Sequence, residues 1–281
     1  MSSKQKINEG IPTVDSYNKL INSDFFREME KFSDQFLLGN NDALKYYIER
    51  WVADPLHQWS RQWEYPFVFN KIASIQDPEA NLKVLDAGSG VTFFPYLLQH
   101  RFKNLNLYCC DYDDSLADIY ANINENYKKK VTFNQSDLRN LNYDNNSFDI
   151  IYCISVLEHT DQYEEIIEKF TQMLKPNGSL ILTIDISFDQ AYDIPINKAK
   201  LLLDKLDKEF NTEKRLVSSL ASQISNPGIL TTKKGNQLTP KLLPWKSPPS
   251  FRKRIKSFLT TGSFGSWPPP LTVYCLSLTK K

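Results

Sequence analysis

The sequence predicts an α/β fold in which a doubly wound, mostly parallel sheet lies beneath an N-terminal helical cap. Three observations carry that expectation. Strand-like and helix-like patterns alternate without a break from Leu82 to Ile186, as parallel strands joined by crossover helices require. The apolar run Val84-Leu85-Asp86 leads straight into Ala87-Gly88-Ser89-Gly90, a turn that glycines make easily because they accept positive φ and carry no Cβ. Phe148 to Ser155 is a continuous apolar run, the pattern of a strand buried on both faces.

The elements follow in order. Residues 1–75 read as the cap. Ile21, Phe25, Met29 and Phe36 recur at helical spacing, Leu44, Tyr46 and Tyr47 continue the apolar face, and Gly39 to Asp42 breaks it and supplies an N-cap. Aromatics then crowd the chain, with Trp59, Trp63 and Tyr65 interleaved with His57, Arg61 and Glu64. Two readings stay open for them: a wall that holds a sugar or ring, or ordinary packing of the cap on the sheet. The first strand is Leu82 to Asp86, and Pro95 suits the first turn of the helix that runs through His100.

Leu105 to Asp111 is the second strand, Leu116 to Tyr127 a helix, and Val131 to Phe133 a short strand closed by Ser136-Asp137-Leu138. Asp161 with Glu164 predicts a capping-box start for a helix whose stripe is Tyr163, Ile166, Ile167, Phe170 and Leu174, stopped by Pro176-Asn177-Gly178. Ser179 to Ile186 is the fifth strand, Ile196 to Phe210 an amphipathic helix and Leu216 to Ile224 another. Asn226 to Ser250, rich in Pro, Gly, Lys and Thr, is an irregular excursion, and Leu271 to Leu278 is the last strand. The expected division is a cap over 1–75 and a main domain over 76–281 that carries a basic insertion at about 211–260.

Composition narrows the classes. With 281 residues, 41% of them hydrophobic, the chain can bury one substantial core. It has no apolar run of about 18 residues and a polar start, Met1 to Asn8, so no membrane span and a cytoplasmic location are expected. Cys109, Cys110, Cys153 and Cys275 lie in apolar runs with no Cys-x-x-Cys and histidine pattern, so neither a metal site nor a disulfide frame is expected. The net charge of +1 hides an asymmetry: no acid follows Glu213 while twelve Lys and Arg do, which leaves −11 on the first 213 residues. A basic third of this kind suits an anionic partner, or is a solvated face.

The glycine loop is a ligand cradle, because its backbone can be approached closely and the following helix aims free N–H groups at whatever binds there. A dinucleotide fingerprint would place a third glycine where Phe93 stands. At the tip of the second strand, Asp111 lies 21 residues beyond Gly90, about where an acid takes ribose hydroxyls in doubly wound folds.

The run from Asp86 through Gly88 and Gly90 to Thr92, Asp111, Asp137, and the segment from Phe148-Asp149 to Val156-Leu157-Glu158-His159 together resemble class I S-adenosylmethionine-dependent methyltransferases of the small-molecule type. Thr92 stands where the loop's last glycine often does. The resemblance covers residues 82–186 and the final strand. It implies a Rossmann-like, seven-stranded sheet whose last strand inserts antiparallel, and S-adenosylmethionine as cofactor. It also implies a site built from Asp86, Gly88, Ser89, Gly90, Asp111, Tyr112, Asp137, Leu138 and Ser155, with Asp137 on the adenine amine and Leu138 donating a backbone N–H to the ring. Arg61 is the candidate for the methionine carboxylate.

For chemistry, His159 at the mouth of the fourth strand is the candidate base, because an imidazole titrates near working pH, and His57 is the second. Trp59, Trp63, Tyr65, Glu158 and Asp185 are the candidate acceptor contacts. The expected activity is methyl transfer, by in-line displacement, to a hydroxyl or amine of a polar or anionic small molecule such as a sugar or nucleotide sugar. Two rivals remain: a nucleic-acid methyltransferase that uses the basic third, and a catalytically silent methyltransferase-like subunit.

Overall fold

The computed structural model describes residues 6–75, 80–160, 162–189, 194–234 and 266–281, together with Arg252, Ile255, Phe258, Leu259, Gly262 and Phe264. Four helices come first: α1 (Val14–Ile21), α2 (Asp24–Gly39), α3 (Asn41–Arg50) and α4 (Arg61–Ile75). Thr13 starts α1 with a capping box, its hydroxyl accepting from Ser16 N–H at 3.1 Å while the Ser16 hydroxyl accepts from Thr13 N–H at 3.0 Å. Then β1 (Leu82–Ala87), α5 (Phe94–Arg101), β2 (Leu105–Asp111), α6 (Leu116–Asn124), β3 (Thr132–Gln135), β4 (Phe148–Ile154), α7 (Tyr163–Met173) and β5 (Leu174–Ser187) alternate as the sequence predicts. The chain closes with β6 (Ile194–Pro195), α8 (Ile196–Glu209), β7 (Phe210–Asn211), α9 (Leu216–Ile224) and β8 (Leu271–Lys280).

The sheet path is β3-β2-β1-β4-β5-β8-β7, with the two-residue β6 beside β5. Strands β1 to β5 are parallel, β6 runs parallel to β5, β8 is antiparallel to β5, and β7 is antiparallel to β8. The reversal lies between β1 and β4, the place where such sheets hold ligands outside the carboxyl ends of their strands. Apolar side chains fill both faces. On one, α4, α5 and α6 pack with the cap around Phe67, Phe94 and Tyr120. On the other, α7 and α8 pack around Ile167, Phe170 and Leu203. All four cysteines are free and buried.

Two local expectations change. Pro176-Asn177-Gly178 lies inside β5 rather than ending a helix: Phe148 pairs with Leu174 and Ile150 with Ser179, so the residues between bulge out, with Asn177 at φ 60°. Helix α7 starts after Gln162 without a side-chain cap, and the predicted capping residue Asp161 lies outside the described residues. Most of the predicted basic excursion, residues 235–250, lies outside them too.

Its ends are visible. Thr232, fully buried, donates its hydroxyl to Pro269 C=O at 2.6 Å and accepts from Leu271 N–H at 3.0 Å. Nearby, Leu230 N–H donates to Pro12 C=O at 2.7 Å, and Gly10 exchanges two bonds with Cys275 at 2.7 and 3.1 Å. Among the described residues no helix is long and apolar enough to cross a membrane.

Candidate active site at the carboxyl rim of the sheet

The glycine loop is tied to β2 by its own backbone. Gly88 and Ser89 N–H both donate to Cys110 C=O at 2.9 and 3.0 Å, and Gly90 N–H donates to an Asp111 carboxylate oxygen at 2.9 Å. Gly88 and Gly90 have φ of 77° and 49°, where an L side chain is strained. Both places are also crowded. A Cβ on Gly88 would stand 2.6 Å from Val156 Cγ2, and one on Gly90 would collide with the Tyr47 hydroxyl. Ser136 N–H donates to Asp111 C=O at 2.7 Å, bringing Asp137 to the same rim. Asp137 accepts from Arg139 N–H at 2.9 Å and from its Nε at 2.8 Å, and these bonds hold its carboxyl below the usual range. Leu138 is buried at the start of the 3-10 turn Leu138–Asn140, and Tyr112 is exposed.

Asp86 is buried beneath the loop and accepts from the Tyr152 hydroxyl at 3.0 Å. Burial pushes its pKa up to about 8, the Tyr152 bond pulls against this, and the Asp111 charge adds to it. Asp86 thus ties the end of β1 to β4 just before the loop.

The cap supplies three groups that face the loop and the turn after β4. Tyr47, from α3, sits over Gly90 and is hydrogen-bonded to the Val91 backbone, its hydroxyl pKa raised chiefly by burial. Arg61 and Glu64 come from α4. Glu64 is fully buried, and one carboxylate oxygen accepts from the Ser155 and Thr183 hydroxyls at 2.5 Å each while the other pairs with Arg61. Burial works against the Arg61 charge, and the carboxylate of Glu64 more than restores it, with Tyr65 and Asp185 adding to that support. Helix α3 is pinned at its end by Arg50, which bonds the buried Asp113 at 2.9 Å.

The two candidate bases part company. His159 stands exposed in the 3-10 turn Leu157–His159; shielding by its surroundings and then the Arg61 charge hold its pKa below the usual 6.5, so the neutral, proton-accepting form prevails at neutral pH. His57 lies between Asp54 (2.6 Å) and Glu30 (2.8 Å). The Asp54 bond, opposed by burial and helped by Glu30, raises it to about 9. An imidazolium clamped by two carboxylates has no lone pair to offer, so His57 clasps the cap rather than acting as a base.

Other predicted residues separate as well. Trp59, Trp63 and Tyr65 are 2–4% exposed. Tyr65 packs against Phe93 and Phe94 at 5.1 and 4.9 Å. Of the two readings, packing holds: Trp59 is buried just before α4, and Trp63 and Tyr65 lie in a helix buried along most of its length. Glu158 accepts weakly from Asp185 N–H at 3.4 Å, which places both on the His159 side of the rim. Tyr47, Glu64 and Thr183 were absent from the sequence-based set. Only the regular spacing of α3 and the odd charge inside an aromatic run hinted at the first two.

This geometry fits an adenosyl cofactor. Asp111 makes two backbone bonds, to Gly90 and to Asp113 N–H at 3.2 Å, and a carboxylate has capacity for further hydroxyls. Residues 85–182 match the family described as a methyltransferase domain. The chain carries a class I methyltransferase domain whose cofactor is S-adenosylmethionine. The methyltransferase is 24% identical over 166 residues to a ubiquinone biosynthesis O-methyltransferase of Rickettsia canadensis, covering 58% of this chain and 69% of that one. It is 24% identical over 162 residues to a tRNA N(3)-methylcytidine methyltransferase of Schizosaccharomyces pombe, covering 54% and 48%. It thus spans about half the length of the second relative. A solved structure described as a sarcosine dimethylglycine methyltransferase of Galdieria sulphuraria shares the fold, with a TM-score of 0.50 at 16% identity over 85% of this chain and 98% of that one.

Proposed function

We infer that this methyltransferase acts on a hydroxyl of a polar, anionic small molecule. The observation that carries the reading is the pairing, at one rim, of an Asp111-braced glycine loop with a histidine kept neutral beside Arg61. When bound, the cofactor supplies a methyl carbon on a positively charged sulfur. The protein's part is to hold, orient and deprotonate. Asp111 takes the ribose hydroxyls, Asp137 and Leu138 the adenine, and the loop N–H groups with Arg61 the methionine carboxylate. His159 Nε2 or Nδ1 takes the proton that a hydroxyl must lose as its oxygen is methylated, which an amine acceptor would not need.

The twelve cations after Glu213 support an anionic acceptor, and the chain that returns from them is tied just beyond β5. Ser266 N–H donates to Asp189 at 2.9 Å, and Phe188 N–H to Pro270 C=O at 2.9 Å, just beyond β5. The O-methyltransferase name of one relative agrees with the acceptor atom. The tRNA methyltransferase name of another, with the twelve cations after Glu213, supports nucleic acid as a second reading. The test is transfer of labelled methyl from S-adenosylmethionine to a panel of sugar phosphates, nucleotide sugars, phenols and bulk tRNA. Label in hydroxylated anions supports the reading. Label only in tRNA, with binding that falls steeply as salt rises, replaces it with the second, and no label with any acceptor returns the silent-subunit alternative.

A further inference from the structure

Ser155 follows β4 with φ 47°, a left-handed conformation that a residue with a side chain keeps only when its surroundings hold it there. Two bonds hold it. Its N–H donates to Thr183 C=O at 2.9 Å, and its hydroxyl donates at 2.5 Å to Glu64, a residue 91 positions earlier on the cap. The turn so fixed puts Val156 against the missing Cβ of Gly88, with Cγ2 and Cγ1 2.6 and 2.7 Å from where that Cβ would be. A continuous line of contact therefore runs from the cap carboxylate through Ser155 and Val156 to the glycine loop.

We propose that Glu64 is a positioning residue for cofactor binding, acting through the Ser155 turn to fix the glycine loop while it also fixes Arg61. The proposal rests on the reading that the cofactor binds at that loop, and on nothing about the acceptor. Its rationale is geometric. Gly88 is permissive, so β1 alone does not decide the loop's path, and Val156 is the side chain pressed against its open face. Val156 can hold that place only if Ser155 keeps its left-handed turn. The Ser155 hydroxyl is bonded to a buried carboxylate whose other oxygen is held by Arg61, so a charge-assisted bond anchors the turn.

The experiment compares four variants of the full chain by calorimetric titration with S-adenosylhomocysteine and by thermal unfolding. Glu64→Ala and Ser155→Ala are each expected to weaken binding about tenfold, the worth of one hydrogen bond to a charged group. The double variant is expected to be no weaker than the worse single one, because both cut the same line. Glu64→Gln should recover most of the loss, since its amide oxygen still accepts the Ser155 hydroxyl. Thr183→Val removes the other hydroxyl bond to Glu64 but not the one to Ser155, so it should lower Tm while affinity stays within about twofold.

Wild-type affinity in Ser155→Ala and Glu64→Ala, with only Tm reduced, would overturn the proposal, and so would a Thr183→Val protein as weak as Ser155→Ala. If Glu64→Ala does not fold, Ser155→Ala decides alone. Absence of binding by the unmodified protein would instead overturn the cofactor reading, and the proposal with it.

Discussion

His57 and His159 are the same residue type in two parts of one molecule, and their surroundings give one a positive charge and leave the other neutral. In the cap, Asp54 and Glu30 stand on either side of His57 and keep it protonated to about pH 9. At the rim, His159 meets shielding and a neighbouring cation, and its proton leaves below the usual 6.5. The first arrangement occupies both ring nitrogens with carboxylates, and the second leaves a neutral ring that can accept a proton. What an imidazole can do is set by which charges share its space, and those charges come from elements far apart in sequence.

The comparison can be broken most severely at the rim. His159→Gln should lower kcat by about 10²-fold or more, the usual worth of a general base, while affinity for S-adenosylhomocysteine stays the same; near-normal turnover on the true acceptor would remove the base. Asp111→Ala should weaken cofactor affinity by about 30- to 100-fold through the lost charge-assisted bonds, with folding intact by circular dichroism; unchanged titration would displace the ribose assignment.

Arg61→Met sharpens the contrast, because removing the cation lets His159 hold its proton longer. The acid limb of kcat/KM should move up toward pH 6.5 relative to the parent, and a limb that does not move would detach Arg61 from His159. The smallest effect belongs to His57→Gln, which should leave kcat alone and lower Tm by about 2 °C, since half-exposed ion pairs contribute little. The sign follows from a pKa raised on folding. The stabilisation is whole below about pH 6.5 and gone above about pH 9, so parent and variant should melt together at pH 10. A gap that persists there would mean that His57 works by packing instead.

Much of this was legible in the sequence. Gly88, Gly90 and Asp111 are close in the chain, local rules give the strand, turn and helix around them, and the β-α alternation leaves little choice of topology. What sequence could not separate was packing from recognition. Trp59, Trp63 and Tyr65 have the composition of a sugar platform and also of a core, and only their burial in the fold decides between them. Nor could it see Tyr47 over Gly90, or Glu64 beside Ser155 and Thr183, because those pairs are 43, 91 and 119 residues apart and nothing local marks them. The bulge at Asn177 was missed for a different reason: Pro-Asn-Gly reads as a stop signal whether a helix or a strand lies beside it.

Thr232 and Pro269 are bonded to each other, so the two ends of the stretch between them meet at one place on the domain. Closing a loop costs little more as it lengthens. The length and charge of that stretch can therefore change at little cost to the sheet beneath it. Replacing the stretch between these two anchors should therefore leave the sheet and its rim as they are.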